Sequence, residues 1–391
     1  MDHATSAPQI ARMALPDTVA SRAPADSVSV SGHAVVYRLF DVGGEIHLEQ
    51  ALDRLASSMP ERVRPVRTEA QALRIANPPI SVGLGNEPVT ILGRPAIVEL
   101  SARIFDFGVV SLRARVDAGA GLSWPDFSSF GRAVDATSEI PALLEQQILR
   151  LVDRMGAAIE RPRIADVRED YVVYRLTECH PTDGAGSPRA AIDKLDLVPL
   201  LLGESRPLSA DAQGELLPHR FSYYADDLAI LSWDNALIVE PSAGDSDVEY
   251  ILEFANAQLL ELRYYDAVLD AELPRLYDRI AQAPFRRGRL LRTGYAQLLA
   301  SMQTLVAETT ELVERAENAL KVTDDVYLAR IYSAVLDLYR ARTWRTGIDR
   351  KLTIIREAYE MLNGEAQARR GETLELTIIV LIALEIVLSL V

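Results

Sequence analysis

DSDVEYILEFANAQLLELRYYDAVLDAEL, residues 245–273, is where this chain changes its repeat. From about Val28 to Pro241 the apolar residues mostly alternate with polar ones, the period of half-buried strands. From Asp245 onward they recur at three and four, the period of a helix with one buried side. Ser246 and Glu249 stand at capping-box spacing ahead of the apolar run, so the helix is expected to start there. Pro274 then bends or breaks it.

Working back from that boundary, SVSVSGHAVVYRL (27–39) and residues 171–176 read as strands, with alternation and β-branching. PAIVELSARIFDFGVVSLRARV (95–116) predicts paired strands that bend near Asp106–Gly108. DLAILSWDNALIV (227–239) predicts a hairpin folded at Asp234–Asn235, residues that tolerate left-handed turns. Between these lie LEQALDRLA (48–56), with helical spacing, and an amphipathic helix over 138–159 with Ile140, Leu144, Ile148 and Leu151 on one side. The class is α+β. Val35–Leu39 and Val172–Leu176 are both V-V-Y-R-L. A tandem pair of β-α-β-β-α units would explain the echo, and so would the shared composition of two strands.

Working forward, Pro284–Gly288 makes a turn. A second helix carries Leu291, Tyr295, Leu298, Met302, Leu305, Thr309, Leu312 and Ala316 in steps of four and three, which argues a coiled-coil seam. Thr323, Asp324 and Asp325 open a third helix, their acids complementing its positive end. Ile348, Leu352, Ile355, Tyr359 and Leu362 continue the seam. Gly364 and Gly371 are the only breakers before LELTIIVLIALEIVLSLV (374–391), so stalk and final segment read as one rod.

That final segment is expected to be a transmembrane anchor flanked by Arg369 and Arg370. At about 1.5 Å per residue, 373–391 spans roughly 28 Å, against a hydrocarbon core of about 30 Å. Glu385 falls inside it at a cost of about 3 kcal/mol, offset by Leu, Ile and Val at roughly −0.3 to −0.6 each. The competing reading buries the helix in a protein oligomer. The expected division is thus a disordered tail over 1–27, an α+β domain over 28–245, a helical hairpin or coiled-coil stalk over 246–372 and the anchor over 373–391.

Composition narrows the function classes. A net charge of −15 disfavours general nucleic-acid binding and a broad hold on anionic lipid. Cys179 is the only cysteine, so the chain has no internal disulfide. The first residues lack an apolar core of the secretory kind, and the arginines before the anchor place the bulk of the chain on the cytoplasmic side.

Several segments together resemble the family named for "required for meiotic nuclear division", whose function is unknown. They are IFDFGVVSL (104–112), EFANAQLLELRYYD (253–266), YLARIYSAVLDLYRARTWRTGIDRKLTIIREAYEMLN (327–363) and RRGETLELTIIVLIALEIVL (369–388), in order. The resemblance implies an α/β module, a helical hairpin and a membrane anchor, and an inner-membrane role in organellar translation for mitochondrial members, with the bulk on the matrix side. It supplies no catalytic residues. The chain departs from the family at Leu259–Leu260, where a Ser often follows the Ala-Gln pair.

No catalytic, cofactor-binding or metal set is expected. His3, His33, His47, His180 and His219 do not pair at ligand spacing, and Cys179–His180 are too close to form a usual zinc pair. The glycines at 83–85 and 184–186 lack the rest of a phosphate loop, and no G-x-S-x-G occurs. Three features remain. Arg286, Arg287, Arg289 and Arg292 cluster at a turn, as a contact for anionic headgroups, a partner or ribosomal RNA, or as a solvated loop. Arg340, Arg342, Arg345, Arg350 and Lys351 suit pairing with acids of neighbouring helices. Glu385 is the candidate membrane residue, holding oligomer contacts or an ion. The expectation is a non-enzymatic, self-associating membrane scaffold with a soluble protein partner. The alternative is an ion-conducting or ion-sensing oligomer built around Glu385.

Overall fold

The computed structural model describes residues 28–58, 60–62, 73–75, 77–182, 188–192, 195–204, 206, 208–241, 244–282, 300, 302–307, 309–311, 313–314, 320–322 and 326–389. The expected tail over 1–27, the Pro284–Gly288 turn and most of the 291–316 heptad lie outside them.

The alternating segments become a mixed, nine-stranded sheet. Its strands are β1 Val28–Asp41, β2 Glu61–Arg62, β4 Ile80–Ile91, β5 Arg94–Ile104, β6 Val109–Ser123, β7 Arg168–Pro181, β8 His219–Phe221, β9 Leu228–Leu231 and β10 Asn235–Val239. The order across the sheet is β2-β4-β5-β6-β1-β7-β10-β9-β8. All pairings are antiparallel except β10 with β7. A separate short ladder joins β3, Leu73–Ile75, to β11, Leu320–Val322. Gly108, at φ 96°, helps close the β5–β6 turn in a left-handed conformation that favours glycine. The β9–β10 hairpin closes where Ser232 donates its backbone N–H to the Asn235 carbonyl at 2.8 Å.

The period of two sorts the central strands onto two faces. Val36, Phe40, Leu112, Ala114, Val116, Val172, Tyr174 and Leu176 face one core with α2, Trp124–Ala136, and α3, Glu139–Met155. The short helices α1 Leu48–Arg54, α4 Pro188–Ile192 and α5 Val198–Leu201 add to that side; α6, Ala210–Leu216, follows them in the chain. The expected stripe of Ile140, Leu144, Ile148 and Leu151 is the buried side of α3. Val35, Tyr37, Leu39, Val109, Tyr171 and Val173 face the other core. The V-V-Y-R-L echo therefore splits: Val35 lies opposite Val173 and Tyr37 opposite Tyr171, and the equivalent Tyr37 and Tyr174 point to opposite faces. Each half of the chain does supply a strand, then helices, then a meander whose last strand returns beside the first. β6 returns antiparallel to β1, however, and β10 parallel to β7.

The second core is closed by α7, Asp247–Gln282, which crosses β1, β6 and β7. Ser246 Oγ accepts the Glu249 N–H at 3.3 Å, the cap expected from the sequence. Pro274 lies inside the helix without ending it. Every residue from Ser246 to Leu262 is buried, because the outer side of α7 is covered by α8, Val326–Leu338, and α9, Ala341–Ser389. Asn256 meets Tyr339, Asp266 meets Lys351, and Asp270 meets Lys351 one turn on, so α9 runs parallel to α7. The intervening residues run back: Val313 lies near Leu262, whereas Gln303 reaches Tyr359. The expected third helix is split at Tyr339–Arg340, where Arg340 takes φ 51°.

No helix among the described residues is long and apolar enough to cross a membrane. That is the departure from the transmembrane segment expected over 373–391. The final described turns of α9, residues 372–389, are helical but carry Glu372, Glu375 and Glu385, each of which lowers the apolar average and adds a charge. Mixed α+β is the class the structure establishes.

Candidate functional site: the charged seam between the sheet and α7

On α7, Glu249 and Glu253 stand about one turn apart on one side, and Glu261, eight residues further on, lies roughly 120° round the axis from Glu249. They are 4 %, 2 % and 1 % exposed, so all three are enclosed. Burying carboxylates in this way is costly unless cations or hydrogen bonds compensate.

At the first end the sheet supplies three arginines, one each from β5, β6 and β7. Arg103 pairs with Glu253. Arg175 reaches Glu249 at 3.3 Å and Glu240 at 3.4 Å, and Arg113 stands 3.6 Å from Glu249. Tyr37 donates its hydroxyl to Glu249 at 3.0 Å. Arg103 also lies over the Tyr250 ring, and Arg113 over that of Tyr37, at 4.9 and 5.5 Å. The Glu249 carboxylate thus bonds into the sheet. His33, beside Arg115 and Arg175 on the same face, has its pKa lowered to about 4 by burial first and then by Arg115, with Glu249 opposing, Arg175 adding to the fall and Asp117 opposing least. It is neutral at physiological pH.

At the second end the cations run short. Arg163 donates to both oxygens of Asp41 at 3.1 and 3.0 Å and lies 4.5 Å from the Tyr264 ring. Asp41 also accepts the Gly43 N–H at 3.2 Å. Glu261 has one buried carboxylate oxygen with no hydrogen-bond partner. Burial, then the like charge of Asp41, raise its pKa well above the ordinary carboxylate range, with Arg163 opposing. Burial likewise raises Asp41. Close by, Arg263 of α7 pairs with Glu169 of β7.

Chemically, the first cluster is a lock. Each of its glutamates is ion-paired with an arginine, although Glu253 Oε1 and Glu240 Oε2 accept no hydrogen bond. Among the described residues no group of three or more His, Cys, Asp or Glu side chains gathers as metal ligands. Cys179 is buried, and burial raises its thiol to about 11.

The residues singled out from the sequence fall elsewhere. Arg286, Arg287, Arg289 and Arg292 lie outside the described residues. Arg369 and Arg370 are on α9, where their side chains are outside the description. Glu385 is exposed near the end of α9, away from the seam. Of the basic residues on the third helix, Lys351 crosses to Asp266 and Asp270 of α7 at 2.7 and 2.6 Å. Arg342 and Arg345 pair locally with Asp337 and Asp349, both at 3.8 Å.

Sheet and seam together define a class: a mixed α+β body whose central strands are ion-paired to a helix enclosed on both sides. The family model described as "Uncharacterized protein MJ0711, N-terminal domain" matches residues 31–246, over half of the chain, and the chain belongs to that family. It is 26% identical over 225 residues to "Uncharacterized protein MJ0711" of Methanocaldococcus jannaschii. That alignment covers 57% of this chain and 66% of the relative, just under two thirds of its length. No solved structure matches. The matched span ends at the cap of α7, so it includes Arg103, Arg113, Arg175 and Glu240 but not Glu249 or Glu253.

Proposed function

We propose that this protein is a non-enzymatic, self-associating scaffold. The closing turns of α9 would tether it to a lipid bilayer, and its α+β body would face the cytoplasm, or the matrix in an organelle, and present itself to a soluble protein partner. The observation that carries this reading is the surface of α9. Ile378, Ile379, Val380, Leu381 and Ile382 are consecutive and between 48% and 59% exposed, and Ile386 follows at 54%. Consecutive residues circle the helix, so apolar side chains point outward all round it. Water disfavours such a surface, and lipid is the medium that accommodates one on every side. The resemblance of 369–388 to the ending of the meiotic-nuclear-division family supports the same reading, as does the rod-like continuity of α9. Glu375 would lie at the near interface, and Glu385 would be protonated or turned toward another helix.

Deleting residues 374–391 tests the tether. The truncated protein is expected in the soluble fraction; continued sedimentation with membranes would refute lipid attachment through this segment. The second reading, an ion-conducting or ion-sensing oligomer, is favoured only by Glu385 on that apolar surface. Glu385→Gln in reconstituted vesicles separates the two: a scaffold keeps its partners, whereas a conductor loses its flux.

A further inference from the structure

The geometry points to a binding site for a small amphipathic carboxylate, one anionic head on a short alkyl body, in the cavity between α7, α8 and α9. The cavity holds about 290 Å³, near the lower end of small-molecule sites. Leu262 of α7, Val313 and Leu336 of α8 give it apolar walls. Arg342 and Arg345, both in the lining, stand three residues apart on α9 and so share one side of that helix. Two guanidinium forks on one side of an apolar cavity make a clamp for a carboxylate.

The charges of the lining select both sign and valence. Among its described residues, the acids and bases are Arg342, Arg345, Asp337 and Glu261. Asp337 approaches Arg342 at 3.8 Å, and Asp349, outside the lining, approaches Arg345 at the same distance, each toward Nε. Those contacts are longer than hydrogen bonds, and both acids are 63% exposed, so water screens them and a carboxylate seated in the cavity can compete. Glu261 is 1 % exposed, and burial favours its neutral form. Two guanidiniums against the Asp337 carboxylate then leave one positive charge on the lining, which a monoanion neutralises and a dianion overshoots. Deeper in, Tyr332 donates its hydroxyl to Gln258 at 2.5 Å, so an alkyl chain laid beside them need not strip that oxygen of its bond.

The test titrates the full chain calorimetrically with hexanoate, hexan-1-ol and hexylammonium. Hexanoate is expected to bind at least about tenfold more tightly than either of the others. Arg342→Gln combined with Arg345→Gln should bring hexanoate down to the level of the alcohol and leave the alcohol unchanged. Leu336→Trp, which fills the cavity and keeps both arginines, should abolish hexanoate binding with the fold retained by circular dichroism. Hexanoate no tighter than the alcohol, full hexanoate affinity in the double arginine variant, or no hexanoate binding to the unaltered protein overturns the proposal. Binding that survives Leu336→Trp puts the ligand elsewhere, such as the apolar end of α9, and overturns it as well. All the variants should still sediment with membranes, so this outcome is separate from that of the tether.

Discussion

Arg103 and Glu253 illustrate what a buried pair does for a fold. Their side chains are 4% and 1% exposed, so Glu253→Ala strands a guanidinium in the interior. The expected loss is about 3–5 kcal/mol in urea unfolding, and Arg103→Met combined with Glu253→Leu should recover most of it. His33 carries the pH dependence of the same seam. Its folded pKa, about 4, lies below the ordinary 6.5, so the unfolded chain binds more protons between those values. Stability from this group is therefore present above pH 6.5 and lost as pH falls toward 4, by at most about 3 kcal/mol at 1.36 per unit. In His33→Gln that slope should vanish from urea midpoints measured across the window. None of this pairing was legible in the sequence. Arg113 and Arg115 alternate with apolar neighbours as solvent-facing strand residues do, and Glu249 and Glu253 look like the wet side of an amphipathic helix. Glu249 and Glu253 are buried because the side of α7 that carries them packs on the sheet while α8 and α9 cover another side, a tertiary fact that periodicity does not carry.

At the level of elements, most of the sheet and the start of α7 were readable, since alternation, a capping serine and turn residues are local signals. The split of the third helix was not. Arg340 adopts φ 51° with neither glycine nor proline to mark it, and the Asn256 side chain donates to the Tyr339 hydroxyl at 2.8 Å, pinning that corner. Because a left-handed conformation costs a residue with a Cβ roughly 1 kcal/mol, Arg340→Gly should raise thermal stability by about 0.5–1 kcal/mol. Gly32 behaves in the opposite way. It sits at register shifts of β1 toward both neighbours, and an added Cβ would meet the Arg175 carbonyl oxygen at 2.1 Å. Gly32→Ala is expected to cost about 1–3 kcal/mol through forced backbone movement, read as an earlier urea midpoint.

Considered whole, the chain is a sheet with helices on both faces and one helix that outruns the body. α9 has 49 residues, about 70 Å at 1.5 Å each. Among its described side chains the last buried one is Ile355, with Ala358 and Tyr359 still packed beyond it, and an exposed apolar run starts at Ile378, about 35 Å of helix from Ile355. Were the proposed tether to hold its far end in a bilayer, that interval would act as a mast of fixed height. The body would ride clear of the headgroups with headroom for one small folded domain beneath it. Inserting or removing whole turns there would tune which companions can slip underneath.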